Sequence, residues 1–144
     1  MAALPFCHLN LKSPKPDGRY PSHLQRLGDH IRKRRLDLSL LQKEIAARLG
    51  ADPTTVNNWE TGKSEPRLWF VPRILAFLGY DPRSTGAGFG ERLRRARTAR
   101  GLSIQALSHL LRVDTTTVWK WEEGRHQPIA RLRRRLKEMF GPLS

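Results

Sequence analysis

Shifted against itself by 62 residues, the sequence repeats without a gap: Gly28 falls on Gly90, Arg32 on Arg94, Arg35 on Arg97, Leu40 on Leu102 and Leu49 on Leu111. The run Asp52-x-Thr54-Thr55-Val56-x-x-Trp59-Glu60-x-Gly62 falls on Asp114-x-Thr116-Thr117-Val118-x-x-Trp121-Glu122-x-Gly124, while Pro66 and Gly79 fall on Pro128 and Gly141. Matches spread over a whole unit mean one fold used twice. Each copy must therefore close its own core within one period, a length close to the lower limit for independent folding.

The apolar spacing inside each copy is helical. Leu24, Leu27 and Ile31 recur at three- and four-residue intervals. Ile45, Ala46 and Leu49 do the same, as do Leu107, Leu110 and Leu111, so each set is predicted to line one helical face. Asp52 and Asp114 are suited to the N-cap, with Pro53 in the first helical position, and Ser103 is suited to cap the helix before Leu107. Gly62 and Gly124 stand where a left-handed residue would end a helix. Each copy reads as four or five short helices with no strand, which makes the chain all-α. Prolines at 14, 16 and 21 keep residues 1–21 out of any helix and mark an extended arm. Asp81-Pro82 and the Ser84–Gly88 stretch have linker chemistry. The expected layout is an arm at 1–21, a first domain at 22–80, a linker at 81–88 and a second domain at 89–144.

Lys and Arg number 27 against 13 Asp and Glu, a formal net charge of +14. Self-repulsion of that size calls for an anionic partner, nucleic acid first and an anionic membrane surface second. Cys7 is the one cysteine, so neither an internal disulfide nor a cysteine zinc site can form. No leader-like segment and no stretch of membrane-spanning length stands out, which points to a cytoplasmic protein working without a membrane. The five histidines are scattered, no glycine-rich phosphate loop is present, and no nucleophile–base or paired-carboxylate arrangement stands out. The expectation is a protein with no catalytic site, metal, cofactor or small-molecule ligand.

Two short helices joined by a tight turn form the unit that lays its second helix in a major groove. The turns fall at Leu49-Gly50-Ala51-Asp52 and Leu111-Arg112-Val113-Asp114. With Leu40-Leu41-Gln42-Lys43-Glu44-Ile45-Ala46, Leu49-Gly50, Thr55-Val56, Trp59-Glu60, Gly62 and Pro66, residues 24–79 resemble the phage repressor/Cro-type (XRE) helix-turn-helix family. Residues 89–141 resemble it more weakly. The resemblance implies two consecutive lambda-repressor-like domains that bind double-stranded DNA. It also implies ion pairs of Arg35 with Glu60 and Arg97 with Glu122, which either aim the Arg toward phosphate or simply maintain the fold. Base contacts are implied for Pro53, Thr54, Asn57 and Asn58, and phosphate contacts for Gln42, Thr55 and Lys63. The chemistry is compatible, since Asn bonds adenine bidentately and Thr bonds a base edge or touches a thymine methyl. The plainer alternative is that Asn57 and Asn58 only solvate an exposed face.

The second copy departs from the pattern. Ile104 stands where Gln42 stood, with Gln105 one position later, and Trp119 and Lys120 replace Asn57 and Asn58. Thr115, Thr116, Trp119 and Lys120 are its corresponding base-contact positions, and Thr117 and Arg125 its phosphate contacts. Trp119 suits a thymine methyl or sugar, or else anchors a homodimer or another protein partner. The segment Arg131-Leu132-Arg133-Arg134-Arg135-Leu136-Lys137 reads as an amphipathic last helix with Ile129, Leu132 and Leu136 inward. Its Arg131, Arg133, Arg134 and Arg135 are read as phosphate contacts in preference to a solvated face. Lys12, Lys15 and Arg19 make the arm mildly basic, either to enter a minor groove or as a plain tail. The expected function is sequence-specific double-stranded DNA binding, as a bacterial or phage transcriptional repressor at the nucleoid. The alternatives are a DNA-targeting subunit of a recombination, transposition or defence complex, and a protein-interaction adaptor.

Overall fold

The computed structural model describes residues 18–83 and 88–143, so residues 1–17 of the expected arm, 84–87 of the expected linker and Ser144 lie outside the described residues. The first unit runs α1 (Leu27–Asp37), α2 (Gln42–Leu49), α3 (Pro53–Thr61), a 3-10 turn (Leu68–Phe70) and α4 (Val71–Leu78). The second runs α5 (Phe89–Ala99), α6 (Ile104–Leu111), α7 (Thr115–Glu122) and α8 (Ala130–Phe140). No strand occurs among the described residues.

Helix starts follow from local side-chain chemistry. The Asp29 carboxylate folds back to accept from the Arg26 and Gln25 N–H groups at 2.9 and 3.2 Å, and Glu44 accepts from the Leu41 N–H at 2.7 Å. Each satisfies a donor that a helix start would otherwise leave open. Asp52 accepts from the Thr54 N–H at 2.8 Å and Ser103 from the Ala106 N–H at 3.0 Å. Asp114 differs from the expectation: it occupies the N-cap, but its carboxylate takes no cap hydrogen bond. The turn is tightened instead by the Thr117 N–H, which reaches the Asp114 main-chain carbonyl at 2.9 Å. Pro72 stands in the first turn of α4, where its missing N–H removes no helix hydrogen bond, and a 3-10 turn leads into this short helix. The second copy has no proline between 130 and 140, and α8 runs through unbroken.

Each copy buries its own core. Ile31, Ile45, Ala46, Leu49, Val56, Trp59, Ile74 and Leu78 form the first, and Leu93, Leu107, Leu111, Val118, Trp121 and Leu136 the second. The repeated glycines explain how the first helix of each copy seats. A Cβ on Gly28 would lie 1.9 Å from the Trp59 carbonyl oxygen, and one on Gly90 would lie 2.4 Å from that of Glu122. Any side chain there would lift α1 off α3, or α5 off α7.

Three expected core residues are not in the core. Leu24 is 43% exposed because α1 begins only at Leu27. Leu110 is 47% exposed, and the buried partner of Leu107 and Leu111 is Ser108, the repeat counterpart of Ala46. Ile129 is 67% exposed because it is the extended N-cap of α8 and lies outside its periodicity; Leu132, Leu136, Met139 and Phe140 make the inner face.

The two copies are joined by more than a tether. α4 packs against α5, and Gly101 after α5 approaches the Pro72 ring. Asp81 binds the Arg83 Nε and Nη2 groups at 2.9 and 2.7 Å and the Arg95 Nε at 3.0 Å, while the Asp81 carbonyl accepts from the Arg95 Nη2 at 3.1 Å. Arg83 also donates to the Thr98 hydroxyl and to the Arg95 carbonyl. Residues 81–83, expected as plain linker, are thus bonded to α5 of the second copy.

Candidate nucleic-acid interface

The inner and outer faces of α3 are set by spacing. Val56, Trp59 and Glu60 are buried three and four residues apart, which turns Pro53, Thr54, Asn57 and Asn58 outward. Pro53 and Thr54 are exposed; Thr55, Asn57 and Asn58 are half-buried. The Asn58 side-chain amide has no hydrogen-bond partner among the described residues.

Glu60 anchors this helix from below. It accepts from the Arg35 Nε and Nη2 at 2.7 and 2.8 Å, and Arg35 also donates to the Leu40 carbonyl at 3.0 Å. Gln42 adds a third bond, from Nε2 to the Glu60 carboxylate at 2.9 Å, and a longer one of 3.3 Å to the Asn57 Oδ1. Both amide protons of Gln42 are therefore engaged within the protein, and a phosphate contact would have to displace one. Asn57 keeps its NH2 group to offer a base.

The second copy builds the same anchor with different parts. Arg97 donates through Nε and Nη2 to Glu122 at 2.5 and 3.0 Å, and through Nη1 to the Leu102 carbonyl at 2.7 Å. Ile104, in the place of Gln42, packs on the core instead. The third bond to the carboxylate comes from the Arg94 Nε at 3.2 Å, and Arg94 Nη2 reaches Glu123 at 2.7 Å. Sequence reasoning passed over Arg94, although the repeat had set it beside Arg32 one helical turn before Arg97.

On the outer face of α7, Thr115 and Thr116 are exposed, Thr117 and Lys120 half-buried, and Trp119 is 38% exposed. The Arg125 guanidinium lies 4.8 Å from the Trp119 ring centre, a cation–π stack. This joins a residue expected at a base to one expected at a phosphate, and nothing in the sequence spacing signalled it. Lys63 is exposed in the matching turn of the first copy. Arg131, Arg133, Arg134, Arg135 and Lys137 all point to solvent from α8, and of these only Arg133 bonds another side chain, Gln127 at 3.4 Å. The structure thus groups 53–58 on one helix and 115–120 on another, while the α8 cations stand on a separate helix. Among the described residues no group of His, Cys, Asp and Glu could hold a metal ion, and no helix is long and apolar enough to cross a membrane.

Two helical units, each with an Arg–Glu pair beneath an outward-facing polar second helix, on a chain of net charge +14, define a tandem helix-turn-helix DNA-binding protein. Residues 31–84 match a helix-turn-helix family and residues 89–141 match a second family described as a helix-turn-helix domain. The chain thus carries two tandem helix-turn-helix domains, the first of the Cro/C1 (XRE) type. It is also similar to the Multiprotein-bridging factor 1 of Eremothecium gossypii, with 34% identity over 62 residues, covering 43% of this chain and 41% of that protein. The chain therefore matches less than half of that relative's length. No solved structure matches it.

Proposed function

We propose that the protein binds double-stranded DNA sequence-specifically and regulates transcription without catalysis, repressing by occupying its site on the bacterial or phage chromosome. The observation that carries this reading is the buried Arg35–Glu60 pair, which fixes α3 while leaving the Asn58 amide without an internal partner. An unsatisfied donor–acceptor pair on a rigid, outward helix suits a base edge. In this reading Pro53, Thr54, Asn57 and Asn58 meet bases, Thr55 and Lys63 meet phosphates, and Gln42 orients Asn57. Thr115, Thr116 and Lys120 contact DNA from α7, and the α8 arginines neutralise phosphates. Selection of bound duplexes from a random pool, followed by salt titration, tests it. With ~6 phosphate contacts the log–log slope of affinity against salt is about −5; a slope near zero refutes it.

One observation favours a second reading, as a protein adaptor. The relative is named for bridging several proteins, and α7 presents Trp119 stacked on Arg125 where a base reader is expected. Tryptophan and arginine are common anchors of protein interfaces. Weak binding that is equal on all sequences favours the adaptor.

A further inference from the structure

The bonds around Asp81 cross from the end of the first helix-turn-helix unit to the first helix of the second. We infer that the Asp81–Arg83–Arg95 joint holds α3 and α7 at one fixed separation, so that the protein selects the spacing between two DNA half-sites as well as their sequence. The inference rests on the proposed reading in which both domains engage DNA.

Three features of the joint support a rigid coupling. Asp81 is bonded on both carboxylate oxygens, Oδ1 by Arg83 and Oδ2 by Arg83 and Arg95, so its side chain has no free rotation to relax into. Arg83 is clamped at both ends of its guanidinium, by Asp81 on one side and by the Thr98 hydroxyl and Arg95 carbonyl on the other. The bonds are shielded, since the Asp81, Arg83 and Arg95 side chains are 18%, 25% and 27% exposed. Behind them α4 packs on α5, and Gly101 leaves just enough room for Pro72: an added Cβ would stand 3.1 Å from its ring. An eight-residue tether without these bonds could extend roughly 27 Å. That reach spans several base pairs of duplex, so a free linker would tolerate many spacings.

Asp81, Arg83 and Arg95 are positioning residues and touch no base. Their test uses the full chain, the duplex selected by the wild-type protein, and the same duplex with five base pairs inserted at each successive position between its contacted ends. Five pairs rotate one half-site about half a turn from the other. The wild-type protein is expected to lose about 100-fold in affinity at insertions that part the two half-sites, the loss of its second foothold. The double variants Arg83→Ala with Arg95→Gln and Arg83→Ala with Asp81→Ala cut the side-chain bonds between residues 81–83 and α5, and are expected to lose roughly threefold or less, because either domain can then follow its half-site. Arg95→Gln alone keeps Arg83 bonded to Asp81 on one side and to the Thr98 hydroxyl on the other, so it should retain most of the wild-type loss. A DNA-free measurement runs beside it: spin labels at Ala47→Cys and His109→Cys, exposed equivalent sites in the two copies, in a Cys7→Ser background. The distance distribution should be narrow in the parent and broad in both double variants. Equal distributions, or a wild-type protein indifferent to every insertion, overturn the inference while leaving DNA binding intact. Absence of any salt-dependent binding instead removes the proposed function, and the spacing role with it.

Discussion

Removing the Glu60 carboxylate should unfold the first domain while sparing the second. Glu60→Ala deletes three hydrogen bonds, two from Arg35 and one from Gln42, and leaves Arg35 with only the Leu40 carbonyl. Breaking a buried pair costs ~3–5 kcal/mol because the abandoned charge stays desolvated. The Arg35 side chain is 12% exposed, so solvent recovers part of that and the lower figure applies, about 3 kcal/mol. Arg97 is 7% exposed, and Glu122 also binds Arg94, so Glu122→Ala should approach about 5 kcal/mol. For a domain this small, 3 kcal/mol lowers Tm by about 12–24 °C, comparable with its whole stability. Far-UV circular dichroism of the full chain should then show two melting steps, with hydrogen exchange placing the early one in residues 27–78. The double variant Arg35→Leu with Glu60→Leu should recover most of the loss, since it leaves no unpaired charge. A Glu60→Ala shift below about 5 °C, or a double variant no more stable than the single, would show that the pair is not an anchor.

The two domains should respond differently at their outer faces. Asn58→Ala is expected to cost about 1–3 kcal/mol on the selected duplex and little on random DNA, whereas Lys120→Ala should weaken both alike and reduce the salt slope by about one; paired titrations decide, and the opposite result makes the second domain the reader. Replacing Arg131, Arg133, Arg134, Arg135 and Lys137 by Gln should weaken binding on every sequence, and unchanged affinity would leave α8 a solvated face. At Asp81, burial pushes the carboxyl up, but the bonds from Arg83 and then Arg95 outweigh it and hold it at about 2, below the ordinary 3.8. Since the folded value is depressed, the joint is fully stabilised above the ordinary value and weakens as pH falls through about 2. The spin-label distances should broaden across that window, and a midpoint near 4 would contradict the bonding described.

Much of the fold was written in the 62-residue register, more than in the apolar pattern alone. Reading periodicity within the second copy put Leu110 and Ile129 inward; projecting the first copy onto it would have chosen Ser108, which lies over Ala46, and exposed Ile129, which lies over the exposed Arg67. A leucine is a strong but undirected signal, and a buried serine is readable only through its counterpart. The Arg–Glu pairs were legible because both members recur at one interval in a pattern with known precedent. The engagement of Gln42 with Glu60 and Asn57 was not, since an amide side chain has several partners within reach and spacing does not choose among them. Nor was the joint: Asp81-Pro82-Arg83 has the composition of a turn, and its partners Arg95 and Thr98 became neighbours only after α5 had packed on α4.

The glycine sockets carry a consequence for how the chain is made. Trp59 and Trp121 lie 31 residues to either side of Gly90, so α5 pays the same loop-closure entropy to seat on α3 as on α7. Both seats offer a backbone carbonyl beneath a glycine and a glutamate for the arginine seven residues on. Order of synthesis separates them. The first core is complete at Leu78, so α1 covers α3 before α5 has left the ribosome, and α7 is the only seat still empty when α5 arrives. A chain diluted from denaturant has no such order. Its refolding should include a concentration-independent slow phase, as α5 leaves the wrong seat, that is absent when the protein is translated.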